Sequence, residues 1–555
     1  MVDLAPLDIS KLAPEELRNA IVALFPAGAT REQRISAIET ALGTPLGRAL
    51  RAQLGAWIVD RLVPAERLVP EPYTAWRPPV RDAMLFVVEH LSDGRLAPKL
   101  LEQLELSPDT TPEARLLRLI AKVPGLQKLG QVLARNRHLR PALRKALSRL
   151  ENSIRDVEVR DVHEIIRRQL GARLDVYHVK MGAALLSEAS VSAVIRFQWR
   201  DPQTGQRNKG VFKVLKPHIP LYFAEDMTLL HDLARFFGKR RAEYGPGARL
   251  IPDTFNKVRR LLHHEVNFSR EQKTLAEASA MYRSIHGVRV PQVIKPLCTS
   301  TITAITHETG SKVTDAAARM SPAQRAKLAR QLIEALVAVP LLAPGEHSLF
   351  HADPHAGNLL YNHHTSELTL IDWALTERLT RDQRRYLALL FMMVALRDPV
   401  GASDAIAGLA EQRVRKDSLQ ARLIRGRTTA FLDELPLGRL PSAVDAMRLL
   451  ELVAFRGLRF PAPLIMLSKV LFTLDGILAD IGGDSGSIGL VMARHIAQRW
   501  LTDWKGFTIP MKRFDWMIVQ CSALLYGSRL WVKGERALLD RLLPAGGAVS
   551  AARSA

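Results

Sequence analysis

The residues best suited to chemistry lie together in His351-Ala-Asp353-Pro-His355-Ala-Gly-Asn358, and a further carboxylate, Asp372, follows beyond a short hairpin. Four residues separate Asp353 from Asn358, the H-x-D-x-x-x-x-N spacing that phosphoryl transfer uses. A carboxylate at Asp353 can orient or deprotonate an attacking hydroxyl. Asn358 and Asp372 offer the amide and carboxylate oxygens that a hard Mg²⁺ ion prefers. Positioning them takes little: two strands, Asn358–Tyr361 and Leu368–Ile371, joined by a turn at Asn362–Ser366, bring Asn358 and Asp372 side by side. The plainer alternative is an ordinary polar turn before a strand. His351 and His355 have a zinc-like i, i+4 spacing, but Pro354 between them opposes a regular helix and no H-E-x-x-H glutamate is present, so zinc is not expected.

The 555 residues are 47% hydrophobic and 24% charged, enough to bury a sizeable core in several structural units. The two cysteines, Cys298 and Cys521, form neither a disulfide framework nor a C-x-x-C site, which suits a reducing compartment. The start, MVDLAPLDISKLAPEEL, lacks a basic flank followed by an apolar core; no secretory signal is read there, and the mature chain is expected to begin at this point. The longest apolar runs are read as Tyr386–Leu396 and Trp516–Gly527, shorter than the roughly 20 residues of a membrane span. A formal charge of +22 implies an anionic partner: a phospholipid surface, nucleic acid or nucleotide. The basic residues lack aromatic interleaving or a helix-turn-helix pattern, so nucleic acid is not expected.

Residues 1–115 read as a helical N-terminal extension, with helices at Arg31–Leu42, Pro45–Arg61 and Arg81–Leu91. Residues 116–170 form a further helical segment, in which Gly125 and Pro141 are expected to punctuate two helices across Val123–Ser153. It contains Lys128-Leu-Gly130-Gln131. From Arg173 the pattern turns to strands: Arg173–Gly182, Ser190–Trp199, a hairpin turn at Asp201–Gln206, and Gly210–Pro217. Lys213 lies in the last of these, in V-F-K-V-L, where a kinase strand carries the lysine that holds the α- and β-phosphates. A helix over Pro252–Ser284 bears Glu265 and Glu271, and Glu271 is the expected partner of Lys213. Strand-like Val288–Ile294 and Thr301–Glu308 follow, then a helix near Pro322–Val339. After Asp372 helices dominate: Arg381–Leu396, Ser442–Leu458, Pro463–Ile481 and Met492–Trp500, with a Gly/Ser-rich connector at Gly482–Gly489. Residues 171–308 thus read as a β-rich lobe and 309–545 as a helical one.

Across roughly residues 120–480 this ordered set resembles the UbiB/AarF/ADCK family of atypical kinase-like proteins. Lys128-x-Gly130-Gln131 matches the family's K-x-G-Q signature. Ser187-Glu-Ala-Ser-Val-Ser-Ala-Val194 is similar to its Ala-rich nucleotide loop, Glu265-Val-Asn267…Glu271 to its E-x-D…E helix with Asn for Asp, and Asp372-Trp-Ala374 to D-F-G. Ala462-Pro-Leu…Leu474-Asp-Gly476 resembles a segment of the helical lobe. The resemblance implies an α+β, protein-kinase-like two-lobe fold, a small β-rich N-lobe and a helical C-lobe, behind the helical extension. It implies ATP and Mg²⁺ as cofactors, with Asp353, Lys213 and Glu271 catalytic and Asn358 and Asp372 on the metal. Ala189, Ser190, Val191, Ser192, Lys213, Glu308, Lys128, Gln131 and Glu265 are then expected around the nucleotide. In the family the K-x-G-Q and E-x-D elements fold over the site and meet there, which favours a small or lipidic acceptor, and its members support ubiquinone or isoprenoid-lipid metabolism at membranes. An isoprenoid lipid or anionic membrane surface is the implied partner, with a cytoplasmic location peripheral to the inner membrane. Two other readings stand beside this one: a pseudokinase that binds nucleotide without turnover, and a small-molecule phosphotransferase of the aminoglycoside or choline type.

Overall fold

A computed structural model describes residues 16, 25–26, 28–134, 157–244, 251–415, 417–436, 441–482, 491, 511–512 and 514–525. They fall into two compact units, Met1–Gln272 with Val293–His307, and Lys273–Gln292 with Glu308–Ala555. The described strands in chain order are β1 (Lys180–Glu188), β2 (Ser192–Arg200), β3 (Arg207–Leu215), β4 (Val288–Arg289), β5 (Ile302–Thr306), β6 (Ser311–Lys312), β7 (His347–His351), β8 (Leu359–Asn362), β9 (Glu367–Leu370) and β10 (Thr376–Thr380). The architecture is α+β.

In the first unit the N-terminal helices start at clear signals. Thr30 accepts from the Gln33 N–H while the Gln33 side chain accepts from the Thr30 N–H, opening Arg31–Gly43; Thr44 caps Pro45–Trp57, with Pro45 in the first turn. A π-helical turn, Ile58–Leu62, follows without a break. These helices are not left on the surface. Trp57, Leu96 and Leu100 share one core with Leu230, Leu233 and Phe237 of helix His218–Lys239 and with Phe255, Val258 and Leu262 of helix Ile251–Val266. Gly125, expected to punctuate two segments, is instead the second residue of helix Pro124–Ala134. A Cβ at Gly125 would stand 3.1 Å from Leu230 Cδ1, so the residue serves close helix packing rather than a break. Pro141 lies outside the described residues.

The sheet of this unit is antiparallel, ordered β1-β2-β3-β5. The expected hairpin at Asp201–Gln206 is present, closed by the Asp201 N–H donating to Gln206 O at 3.0 Å. Alternation sends Ile195 and Phe197 of β2, with Phe212 and Val214 of β3, onto Val162, Ile165 and Ile166 of helix Val159–Leu170. Phe197 and Phe212 stack at 3.8 Å. Gly210 faces Phe197 across the ladder, and a Cβ there would come within 2.5 Å of that ring. The strand expected from Arg173 begins only at Lys180, because Arg173–Val176 forms one helical turn and His178 takes a left-handed φ of +44°. The single helix expected over Pro252–Ser284 is two, Ile251–Val266 and Phe268–Tyr282, parted at Asn267.

The second unit carries a mixed sheet, ordered β4-β9-β8-β6 with β4 parallel to β9, and a two-stranded ladder of β7 with β10. The hairpin around Asn362–Ser366 forms as expected, shifted by one residue to Leu359–Asn362 and Glu367–Leu370. Val288–Ile294 forms a strand at Val288–Arg289, and Val293 adds an isolated bridge to Ile305. Helices Arg381–Ala395, Pro399–Leu409, Leu419–Glu434, Ala443–Ala454 and Ala462–Asp480 follow. The reading of the longest apolar runs is corrected by Ala462–Asp480: its 19 residues are long and apolar enough to cross a membrane by length and composition. Leu464, Val470, Leu471, Leu474 and Leu478 are nevertheless buried in this unit. The connector at Gly482–Gly489, beyond its first residue, and the helix at Met492–Trp500 lie outside the described residues.

Candidate phosphoryl-transfer site

In the first unit Lys213 lies mid-ladder on β3, opposite Val194 of β2 and Thr303 of β5. Its neighbours Phe212 and Val214 point into the core, so strand alternation sends Lys213 to the other face. There its Nζ lies 2.7 Å from Glu271 Oε1, with side-chain exposures of 18% and 5%. The ammonium also sits 5.5 Å from the centre of the Phe268 ring. Glu271 is aimed by the break at Asn267, whose Oδ1 accepts from the Arg270 N–H at 3.0 Å and whose backbone O accepts from the Glu271 N–H at 3.1 Å. Asn267 therefore caps the helix that carries Glu271. On the preceding helix, Glu265 pairs with Lys128 and accepts from Ser190 Oγ at 3.2 Å. Gln131 stands in the Lys128 helix, its side chain outside the described part.

The loop Ala189–Val191 is pinned from both ends, by the Ala189 N–H on Ser192 O at 2.8 Å and the Lys216 N–H on Val191 O at 3.0 Å. Ser190, Val191 and Ser192 are buried. Beneath them Lys216 Nζ pairs with Glu188 Oε2 at 3.1 Å, with side-chain exposures of 1% and 6%. Sequence reasoning missed this pair. K-P after a strand and S-E before a loop carry no spacing that would reveal it.

In the second unit the loop after β7 is built on His351. The Asp353 N–H donates to His351 Nδ1 at 3.2 Å, which leaves Nε2–H to donate to Ile371 O at 3.0 Å. The ring is buried, and desolvation lowers its pKa, opposed by that hydrogen bond and by the charges of Asp372 and Asp353. With both nitrogens engaged, His351 is a structural strut and no metal ligand. Asn358 Nδ2 donates to Asp353 O at 3.1 Å, and the Ile371 N–H donates to Asn358 O at 3.0 Å. The first bond orients the amide so that Oδ1 makes no hydrogen bond among the described residues. The second brings the residue before Asp372 against Asn358.

Asp372 is exposed and takes a left-handed φ of +60°, a costly conformation for a residue other than glycine. Trp373 holds it there. Fully buried, it donates Nε1–H to Leu370 O at 3.1 Å, meets the His351 ring edge-on at 5.0 Å, and accepts from Thr274 Oγ1 at its backbone O. Asp353 Oδ1 lies 2.8 Å from Lys469 Nζ of helix Ala462–Asp480, a second partner that the sequence did not disclose. Glu308 is half-buried in the stretch between β5 and β6. One amide oxygen and one carboxylate suit Mg²⁺, which keeps several waters and takes few protein ligands. Among the described residues no cluster of three or more His, Cys, Asp or Glu is placed to hold a metal.

The ABC1 atypical kinase-like domain matches residues 149–404, which span Lys213, Glu271, Asp353, Asn358 and Asp372. Residues 149–404 thus form a kinase-like domain of this type, and the chain is similar to the UbiB proteins of two bacteria. It is 24% identical to a UbiB of Pasteurella multocida over 362 residues, 63% of this chain and 67% of that protein. It is 25% identical to a UbiB of Cellvibrio japonicus over 407 residues, 71% of each. Both relatives are described as probable protein kinases. Among solved structures, the complex of Rv3197 with erythromycin from Mycobacterium tuberculosis aligns with a TM-score of 0.42 at 15% identity, covering 59% of this chain and 80% of that one.

Proposed function

We propose that this chain, like the kinase-like proteins it resembles, binds ATP with Mg²⁺ and either hydrolyses it or transfers its γ-phosphoryl group to a small or lipidic acceptor in ubiquinone or isoprenoid-lipid metabolism. The observation that carries the reading is Asn358: its NH₂ donates to Asp353 O, and its amide oxygen, without a hydrogen bond among the described residues, stands next to the backbone that presents Asp372. Asn358 and Asp372 would hold the ion. Mg²⁺ bound there supplies neutralisation of the charge on the transferring phosphoryl group. Lys213, held by Glu271, supplies a fixed positive charge for the α- and β-phosphates. Asp353 orients the acceptor hydroxyl or water, and Lys469 holds the Asp353 carboxylate in place. Ala189, Ser190, Val191 and Ser192 form the loop that lies against the nucleotide, and Glu308, Lys128, Gln131 and Glu265 complete its surroundings.

The test is Mg-dependent nucleotide binding by Asp372→Asn, which keeps shape and removes charge. Loss of Mg-ATP binding in a folded variant is expected; unchanged affinity would sink the metal assignment. A pseudokinase is the second reading, favoured by Ala374 in the glycine position of D-F-G, next to a Trp373 that burial and its hydrogen bond to Leu370 O hold fixed. ATP hydrolysis with and without anionic liposomes separates the two, and a screen of small alcohols as acceptors tests the aminoglycoside- or choline-type alternative.

A further inference from the structure

The helices of the first unit enclose a cavity of about 160 Å³. Its walls are apolar, from Met84, Val87, Leu116, Leu233 and Phe255 among others, and Val59 reaches it from the π-helical turn Ile58–Leu62. Such turns recur at functional sites. Met84, Val87 and Leu116 are only partly buried, which leaves the cavity access to solvent. One charged side chain stands among the lining residues: Lys99, 8% exposed, directly after Pro98 in helix Asp93–Glu105.

Lys99 Nζ donates to Ala121 O at 2.6 Å, and among the described residues it makes no other hydrogen bond. An ammonium group has three protons to place. Burial lowers its pKa to about 7, helped by Arg95 on the same helix and by Lys122; Glu102 on that helix and Asp226 on helix His218–Lys239 oppose the fall. Those two carboxylates are engaged elsewhere, Asp226 with Arg95 at 2.7 Å and Glu102 with Arg118 at 3.3 Å. A lysine that merely tied down the Ala121 carbonyl would explain one hydrogen bond. It would not explain an apolar cavity beside it, nor a buried amine near Arg95 and Lys122 whose two neighbouring carboxylates are both paired with arginines.

We propose that this cavity binds a small carboxylate whose apolar body, of about six to eight carbons, lies against Met84, Leu116 and Phe255 and whose carboxylate pairs with Lys99 Nζ. The size follows from the volume, since an apolar cavity of about 150 Å³ holds a benzene ring. The charge follows from the surroundings: a carboxylate meets the unused N–H donors and supplies the missing anion, whereas a neutral head group leaves the site cationic. Binding then restores the Lys99 proton. Above pH 7 each carboxylate bound takes up one proton, and affinity falls about tenfold per pH unit until the pKa of the complex is reached.

The experiment uses the full chain with octanoate and, as a neutral counterpart, octanol, by calorimetry from pH 6 to pH 9 in buffers of differing ionisation enthalpy. Expected are octanoate binding with proton uptake above pH 7, and at least tenfold weaker octanoate binding by Lys99→Met with octanol binding retained. Ala83→Phe, placed in the cavity wall, should lose both ligands. Equal octanoate affinity in Lys99→Met, binding without proton uptake at pH 8, or no binding of octanoate by the folded natural chain would each overturn the proposal. None of these readouts depends on nucleotide.

Discussion

Lys213 within β3 and Lys216 just past its end stand three residues apart, and only the first sits in a recognisable pattern. Lys213 was legible because V-F-K-V-L on a strand, followed by a helix glutamate, has one well-known chemical use. Lys213→Ala is expected to weaken ATP binding at least about tenfold, near the 1.4 kcal/mol of one charge-assisted contact; nucleotide titration checks it, and equal affinity would remove Lys213 from the site. Lys216 was illegible because burial, not spacing, makes it matter. Removing it in Lys216→Met leaves Glu188 buried without that partner, a loss on the order of 3 kcal/mol in denaturant unfolding. Lys469 was hidden for another reason: a lone lysine in an apolar helix reads as a snorkelling charge. As a residue that positions Asp353, its replacement in Lys469→Met should lower kcat with little change in KM for ATP. A change in KM alone would assign it to nucleotide binding.

At the scale of elements, the strands around Asp201–Gln206 and Asn362–Ser366 were legible because period-2 patterns flank turn residues. Asn267 was not, since a helical pattern runs straight through it. Its side chain closes the first turn of a new helix, which aims Glu271 inward. Asn267→Ala should therefore cost about 1 kcal/mol while Asn267→Asp costs little, because both amide and carboxylate oxygens cap well. Equal losses from the two changes, measured by urea unfolding, would deny the capping role. The helix Asp93–Glu105 carries a pH signature of its own. The unfolded chain holds the Lys99 proton up to the ordinary lysine value of 10.5, and the folded chain only to about 7. Between these values the unfolded state binds the extra proton, so stability rises with pH. Lys99→Met should gain stability over the natural chain at pH 7 and lose that advantage toward pH 10; a constant difference would mean that Lys99 stays charged when folded.

For the whole molecule, charge and one helix bear on where the protein works. Helix Phe514–Leu525 turns two polar residues inward: Asp515 is 1% exposed and forms a two-point ion pair with Arg385, and Ser522 Oγ donates to Asp398 Oδ2 at 2.7 Å. Around exposed Gln520 and Cys521 its outward side carries large apolar residues, with Phe514, Met517, Leu524 and Leu525 each at least half exposed. That reverses the usual sense of a surface helix, where charge faces water. The basic stretch Arg499–Lys533 also holds four tryptophans, whose half-apolar rings suit a headgroup boundary: Trp516 on this helix is half-buried, and Trp500, Trp504 and Trp531 lie outside the described residues. An apolar ridge on a chain of charge +22 suits shallow insertion into an anionic bilayer, where each nearby Lys or Arg adds about 1 kcal/mol of attraction. Liposome sedimentation is expected to show binding that requires anionic lipid and is released by high salt. Phe514→Ser with Leu525→Ser should weaken binding several-fold without altering its salt dependence, because one change removes apolar insertion and leaves the long-range attraction intact. Binding unaffected by these substitutions would leave charge alone as the attraction, and extraction only by detergent would place a membrane-embedded segment elsewhere in the chain.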